Sequence, residues 1–154
     1  MRSTLVFPPF RDDGLYNMPP LAIMRLSSVL KNVGQEVTLR DYIYKIKNRE
    51  FELGERLYDQ IAEDILATEP RFVGFSVQCT TYPSALNVAR RLKQRDDSLV
   101  IGFGGHNTGF LDSVTVERYP WVDLVVRGEG EETIVDLVQA LEQGRDLGSV
   151  LGIT

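Results

Sequence analysis

The sequence predicts an α/β protein with a five-stranded parallel sheet flanked by helices, in a flavodoxin-like (Rossmann-like), doubly wound arrangement. Short apolar runs rich in β-branched or aromatic residues recur along the chain, a pattern typical of strands buried on both faces. Segments with apolar residues at helical spacing separate these runs, and the alternation of strand and helix favours parallel pairing through right-handed crossovers. The predicted strands lie at residues 4–7, 36–39, 72–77, 99–103 and 122–126.

The helices are predicted from their spacing and from the residues that end or begin them. Gly34 is free to adopt a positive φ and is expected to stop the first helix, over residues 22–33, while Pro70 follows the second. Pro83 is expected to open the third helix. The second, third and last helical segments lie at residues 57–65, 86–92 and 134–141, and a weakly periodic short helix lies at 109–119.

Length and charge restrict the kind of protein this is. The 154 residues, 43% of them hydrophobic, suit one domain over residues 1–154 with a sizeable core. A net charge of -5 argues against nucleic acid as a partner, because no basic surface is expected. No apolar stretch approaches the ~20 residues that span a bilayer, and a single cysteine, Cys79, fits a reducing cytoplasm.

Doubly wound sheets bind ligands beyond the carboxyl ends of their strands, so function is expected in the loops after strands one, three, four and five. The first of these loops starts at Pro8 and Pro9, contains Gly14 and Leu15, and runs to Pro20. A connection this long favours a ligand-facing loop. The alternative is a rigid connector stiffened by its prolines.

The loop after the third strand contains small hydroxyl and amide side chains next to the start of a helix. Such groups suit a neutral, amide-rich ligand or an anion. Helix capping by Thr80 or Thr81 is the alternative explanation. Cys79 is expected to act as a small residue rather than a nucleophile, since no second thiol supports a redox role.

Glycines dominate the loops after the fourth and fifth strands. Gly104 and Gly105 remove side chains where a flat or bulky group must approach the backbone, so a bulky replacement of Gly105 is expected to block the ligand with little loss of fold. His106 is more typical of a hydrogen-bonding residue than of a metal ligand, and no metal site is predicted. Glu131 has a sufficient explanation in the helix macrodipole, whereas Gly128 and Gly130 indicate a turn pressed against a neighbouring loop or a ligand.

The loops together resemble a known family. Pro8-Pro9, Gly104-Gly105 and above all the stretch Val-Asp-Leu-Val-Val-Arg-Gly-Glu-Gly-Glu-Glu-Thr at residues 122–133 resemble the N-terminal cobalamin-binding domain of class B radical S-adenosylmethionine enzymes. The similarity extends from about residue 4 to residue 154. One departure is Gly-Gly-His-Asn at residues 104–107, where many relatives read Gly-Gly-Pro-His.

The resemblance implies that a corrin rests on the carboxyl edge of the sheet and that its nucleotide tail descends between the loops. The sequence lacks the Asp-x-His-x-x-Gly motif that supplies a lower axial histidine in other cobalamin proteins, which implies base-off, histidine-off cobalamin. The implied cofactor-binding residues are Pro8, Pro9, Gly14, Leu15, Ser76, Val77, Gln78, Cys79, Thr80, Gly104, Gly105, His106, Asn107, Gly128, Glu129, Gly130 and Glu131.

The same resemblance implies a partner, a radical S-adenosylmethionine domain C-terminal to this chain. That domain carries Cys-x-x-x-Cys-x-x-Cys for a [4Fe-4S] cluster and binds S-adenosylmethionine, and one cysteine here cannot supply three thiolates. No catalytic residue is therefore predicted in this chain. Methyl transfer is the expected reaction of a full-length enzyme, with ring-forming chemistry also known in the wider family. Residues 147–154 form a glycine-containing tail with no element after it, as expected if the sequence were cut where that domain would begin.

Proteins of this fold have three other functions that bear on this sequence. A phosphorelay receiver needs an Asp at the end of its third strand, where this chain has Ser76, and a flavodoxin needs a phosphate loop that Pro8-Pro9-Phe10 cannot form. Both are disfavoured. An interaction module that positions a protein or substrate against a radical domain, without binding cobalamin, remains the alternative, because fold does not fix function.

Overall fold

Five parallel strands form a single sheet in the order β2-β1-β3-β4-β5 in a computed structural model that describes residues 1–10, 18–106 and 108–154. All neighbouring strands of the sheet pair in parallel. This order and the flanking helices confirm the predicted flavodoxin-like fold. The strands are β1 (Arg2–Phe7), β2 (Glu36–Asp41), β3 (Phe72–Ser76), β4 (Val100–Gly104) and β5 (Leu124–Val125).

The helices cover both faces of the sheet. The predicted stop of the first helix is confirmed, since Gly34 adopts a φ of 82° just after it. Pro83 lies in the first turn of the fourth helix, where its missing N–H costs nothing. The helices are α1 (Leu21–Asn32), α2 (Tyr42–Lys47), α3 (Leu57–Leu66), α4 (Tyr82–Arg95), α5 (Asp112–Arg118) and α6 (Gly130–Gln143). Short 3-10 turns lie at Thr108–Phe110 and Leu147–Ser149.

Alternate residues of the strands enter two separate hydrophobic cores. Leu5 and Phe72 belong to the core under α1 and α6, whereas their neighbours Val6 and Val73 belong to the core under α3 and α4. Each of these four side chains is 1% exposed or less. Burial on both faces explains why the strands read as nearly continuous apolar runs.

The connections after β1 and β3 leave the sheet on opposite faces. The β1 connection leads to α1, on one face, and the β3 connection leads to α4, on the other. β1 and β3 are neighbours in the sheet, and the helices that follow them lie on opposite faces at its carboxyl edge. The fold therefore places a topological switch point at this position.

Helix α2 has no counterpart in the sequence-based prediction. Residues 42–47, Tyr-Ile-Tyr-Lys-Ile-Lys, are rich in aromatic and β-branched residues, which favour a strand. The Asp41 carboxylate instead accepts hydrogen bonds from the backbone N–H groups of Ile43 (3.1 Å) and Tyr44 (3.0 Å), which caps a helix start. The buried Tyr42 hydroxyl donates to Asp64 Oδ2 at 2.8 Å and ties α2 to α3.

The C-terminal tail, for which the sequence indicated no strand, pairs with the outer edge of β5. The backbone N–H of Val125 donates to the Thr154 carbonyl, and the N–H of Thr154 donates back to the Val125 carbonyl, each at 2.9 Å. Val126 and Ile153 form the corresponding antiparallel bridge. In contrast, β5 itself is shorter than the predicted strand at residues 122–126. Within the described ranges, no helix has the length and apolar character to cross a membrane.

Candidate functional site: a cleft at the carboxyl edge of the sheet

A cleft of about 380 Å³ lies between α1 and α6 and opens at the carboxyl edge of the sheet. This volume falls within the range of small-molecule sites. The loops after β4 and β5 form its mouth, and Ile23 and Leu26 of α1 face Ile134 of α6 along its walls. Eight of the residues predicted to bind the cofactor line the cleft: Ser76, Gly104, Gly105, His106, Gly128, Glu129, Gly130 and Glu131.

The inner end of the cleft reaches the middle of the sheet. Gly74 of β3 and Gly102 of β4 are paired across the two strands, and both line the cleft. Gly74 is half-buried, although it lies in the central strand of the sheet. A Cβ added at Gly74 would lie 3.1 Å from Cε1 of Phe72, and one at Gly102 would lie 3.0 Å from Cε2 of the same ring. The two glycines therefore leave room for the Phe72 ring, which lies across the inner end of the cleft.

Polar side chains of the described residues that line the cleft gather at its mouth. Arg25 of α1 is largely exposed and forms an ion pair with Glu131 at the start of α6, so the pair spans the opening. His106 and Glu129 are exposed on the rim, and Ser76 ends β3 beside them. The cleft is thus polar outside and apolar inside, which is the usual character of a small-molecule site.

The loop between β5 and α6 is held in place by the C-terminal tail. The Arg127 N–H donates to the Gly152 carbonyl at 2.8 Å, and Arg127 Nε lies 3.7 Å from Asp112 Oδ2. The Thr154 hydroxyl donates to the same Asp112 oxygen at 2.7 Å, and this hydrogen bond is the main reason that the Asp112 pKa lies below its usual value. Gly128 follows at a φ of 68°, a left-handed conformation that favours glycine.

Gly105 has a structural role that the sequence analysis did not foresee. Its φ is 128°, and a Cβ built there would lie 2.3 Å from the Val77 carbonyl oxygen. The expectation that a bulky replacement of Gly105 causes little loss of fold is therefore wrong, because the close neighbour is backbone. In contrast, a Cβ at Gly104 meets nothing closer than Val126 Cβ at 3.6 Å. Gly104 is the glycine that can be replaced without a steric clash.

The other predicted residues that the structure describes lie around the cleft rather than in it. Pro8 and Pro9 are buried at the end of β1, and Val77 is buried with its N–H donating to the Gly104 carbonyl at 2.7 Å. Gln78, Cys79 and Thr80 are exposed on the loop that leads to α4. Gly14, Leu15 and Asn107 lie outside the described residues.

Thr81 has a structural role in the loop between β3 and α4, but this role is not helix capping. It is buried, and its hydroxyl accepts the Gln78 N–H at 2.9 Å, but it makes no side-chain cap bond to α4. The hydroxyl thus closes the turn before the helix.

Sequence analysis missed the inner wall of the cleft. Gly74 and Gly102 interrupt two otherwise apolar runs at positions that the β3–β4 register places side by side. Phe72, Leu26 and Ile134 appeared only as core positions of a strand or a helix. A glycine inside each run was the signal available, since glycine inside a strand marks close approach of another group.

Within residues 1–10, 18–106 and 108–154, no group of three His, Cys, Asp or Glu side chains converges in a way that would hold a metal ion. Cys79, the one cysteine of the sequence, is exposed on the β3–α4 loop. The apolar walls and hydrogen-bonding rim of the cleft suit the binding of a small molecule.

A cleft at the carboxyl edge of a doubly wound sheet is the usual ligand site of α/β domains, and comparison with known proteins gives the family. Residues 13–138 match the family model described as the B12 binding domain, so the chain belongs to the B12-binding domain family. It is 29% identical over 136 residues to the uncharacterized methyltransferase PH0819 of Pyrococcus horikoshii. It is 33% identical over 140 residues to the anaerobic magnesium-protoporphyrin IX monomethyl ester cyclase of a Synechocystis species.

Among solved structures, the fold matches the radical S-adenosylmethionine methyltransferase TsrM of Kitasatospora setae, with cobalamin and a [4Fe-4S] cluster bound. The TM-score is 0.77 at 19% identity, and the match covers 99% of this chain and 28% of TsrM. The two curated relatives are matched over 88% of this chain but 28% and 26% of their own lengths. The chain thus spans about a quarter of these proteins, and its resemblance to the cobalamin-binding domains of radical S-adenosylmethionine enzymes is confirmed.

Proposed function

We propose that this chain binds cobalamin at the carboxyl edge of its sheet and presents it to a radical S-adenosylmethionine domain, for methyl transfer. The observation that carries the proposal is the cleft that runs from the glycine-rich edge down to Gly74 in the central strand. Membership of the B12-binding family supports the ligand. The bound cobalamin and cluster of TsrM, and its methyltransferase activity, support the partner and the reaction.

The residues at the mouth fit a broad, flat macrocycle fringed by amides. Gly104, Gly128 and Gly130 have no side chains to obstruct the edge of the sheet, and all three line the cleft. The Ser76 hydroxyl and the carboxylates of Glu129 and Glu131 offer acceptors to amide N–H groups. Bound cobalamin would supply a methyl group carried by its cobalt.

The apolar interior of the cleft suits the benzimidazole base at the end of the nucleotide tail of cobalamin, and a base bound there would not coordinate the cobalt. The one histidine of the sequence, His106, is exposed on the rim, and the sequence lacks an Asp-x-His-x-x-Gly motif. Both observations support a base-off, histidine-off state. We expect His106→Ala to leave the electron paramagnetic resonance spectrum of the bound cob(II)alamin unchanged. Loss of a nitrogen splitting in that variant would contradict the histidine-off assignment.

A titration with hydroxocobalamin, followed by gel filtration and absorbance of the protein peak, tests binding. Gly104→Leu places a side chain in the mouth with no backbone clash, so we expect at least a tenfold loss of affinity, or about 1.4 kcal/mol. Gly54→Leu is the matched control, because a Cβ at Gly54 meets nothing within 4 Å and its φ is not positive.

Two outcomes of this titration would contradict the proposal. Absence of cobalamin from the protein peak of the unaltered chain would favour an interaction module of the same fold. Equal affinity of the Gly104→Leu and Gly54→Leu variants would place the ligand elsewhere.

A further inference from the structure

The interior of the cleft has a chemical character that its mouth lacks. Below Ser76 and Gly104, the described lining consists of aliphatic and aromatic side chains and glycine Cα atoms. The side chains of this inner part are Leu5, Ile23, Leu26, Phe72, Val126 and Ile134. Leu5, Ile23 and Phe72 are each 1% exposed, so these side chains of the inner wall are shielded from bulk water.

Backbone groups add little hydrogen-bonding capacity to this interior. Strands β3 and β4 pair with each other along their whole length, and their outer neighbours are β1 and β5. Gly74 and Gly102 therefore lie within the sheet ladder, where their N–H and carbonyl groups already have partners. A polar atom that enters the interior loses its hydrogen bonds to water and gains none, which costs binding free energy.

From this apolar interior, we infer that the cleft selects cobamides by their lower base and favours a benzimidazole over a purine. The inference rests on the proposed function, since it concerns the nucleotide tail of the same ligand. Dimethylbenzimidazole presents one free ring nitrogen and two methyl groups. Adenine presents three free ring nitrogens and an exocyclic amino group, so it leaves more polar atoms unpaired against the same wall.

The aromatic end of the cleft adds to the preference for a flat apolar base. The Phe72 ring lies across Gly74 and Gly102 and offers its π surface or edge to a second ring. Replacing either glycine with alanine would push against the Leu5 or Leu124 methyl groups at 2.9 Å and against the Phe72 ring. The width of the inner cleft therefore depends on the two glycines.

The test compares three ligands in their dicyano forms, in which cyanide holds both axial positions and no base coordinates cobalt. The ligands are cobalamin, the adenine-containing cobamide and cobinamide, which has no lower base, and the measurement is the Kd from equilibrium dialysis against the full chain. We expect the adenine cobamide to bind roughly 10- to 100-fold more weakly than cobalamin, because each unpaired buried polar group costs about this factor. Cobinamide should also bind more weakly than cobalamin.

A variant of the wall extends the test. Leu26→Gln places an amide in the cleft from a half-buried position, and we expect it to reduce the difference between cobalamin and the adenine cobamide. Met24→Gln is the matched control, since Met24 is an exposed residue of the same helix that lies outside this cleft. The control should keep the full difference.

The outcomes separate the two proposals. If none of the three ligands binds, the proposed function is wrong and the inference falls with it. If all three bind with equal Kd, the proposed function stands and the base selectivity is wrong. Equal binding of cobalamin and cobinamide would likewise overturn the inference, because it would show that the base does not enter the cleft.

Discussion

Replacement of Gly105 with alanine tests why glycine occupies the position directly after β4. A Cβ at this position would lie 2.3 Å from the Val77 carbonyl oxygen and 3.1 Å from the Val77 nitrogen. Both atoms belong to the backbone, so no side-chain rotation relieves the contact. The φ of 128° is itself a conformation that L-residues rarely adopt.

The expected loss of stability has two parts. A non-glycine residue held in a sparsely populated backbone conformation costs about 1–3 kcal/mol. Displacement of Val77 also weakens the hydrogen bond from its N–H to the Gly104 carbonyl, 2.7 Å long, for which the net value is about 1 kcal/mol. We therefore expect Gly105→Ala to lower the free energy of unfolding by about 2–4 kcal/mol. For a domain of this size, a loss near the middle of that range lowers Tm by roughly 6–12 °C.

Urea denaturation followed by circular dichroism at 222 nm measures the change, with Gly54→Ala and Gly104→Ala as controls. A Cβ at Gly54 has no neighbour within 4 Å, and one at Gly104 has none closer than 3.6 Å. Both controls should stay within about 1 kcal/mol of the unaltered protein, the usual difference in stability between glycine and alanine. A Gly105→Ala variant as stable as these controls would refute the structural role of Gly105.

Three further predictions concern the C-terminal tail, the hydrogen bond between Tyr42 and Asp64, and catalysis. Hydrogen bonds from the Thr154 hydroxyl and the Ser113 N–H hold the pKa of Asp112 in the folded protein below 3.8, its usual value. These hydrogen bonds stabilise the fold fully above that pH, and the stabilisation is lost as the pH falls through the lowered pKa of Asp112. Asp112→Asn should accordingly flatten the fall in urea midpoint below pH 4, and an unchanged profile would contradict this. Tyr42→Phe removes a 2.8 Å hydrogen bond to Asp64 and should cost about 1.5–3 kcal/mol in urea unfolding; a neutral effect would show that the bond is not stabilising. The chain reconstituted with iron and sulfide should release no 5′-deoxyadenosine from S-adenosylmethionine, because Cys79 is its one thiol, and turnover with a stoichiometric cluster would refute this.

Most of the fold was predictable because its determinants are local. A strand buried on both faces gives a continuous apolar run, and Gly34 and Pro83 mark helix boundaries by their own backbone preferences. Helix α2 was not predictable from periodicity, because its start depends on two hydrogen bonds to Asp41 rather than on an amphipathic pattern. The pairing of the tail with β5 depends on a contact between residues almost 30 positions apart, which no local pattern shows.

The residues at the mouth of the cleft were predictable from the sequence, whereas those of its interior were not. Loops at strand ends follow from the fold class, so Gly104, Gly128 and Gly130 were identified from position alone. The cleft interior requires the register that brings Gly74 beside Gly102, and register is a property of the assembled sheet. The role of Gly105 similarly depends on a neighbour 28 positions away, the Val77 carbonyl.

Pairing of residues 152–154 with β5 also bears on the solubility of the protein. A two-residue strand at the rim of a sheet would otherwise offer the unpaired N–H groups of Val125 and Arg127 to any other extended chain. Such open rims promote edge-to-edge association and aggregation. The carbonyl groups of the tail accept hydrogen bonds from those N–H groups within the same molecule. We therefore expect this short segment to protect the protein from self-association at the sheet edge next to the cleft.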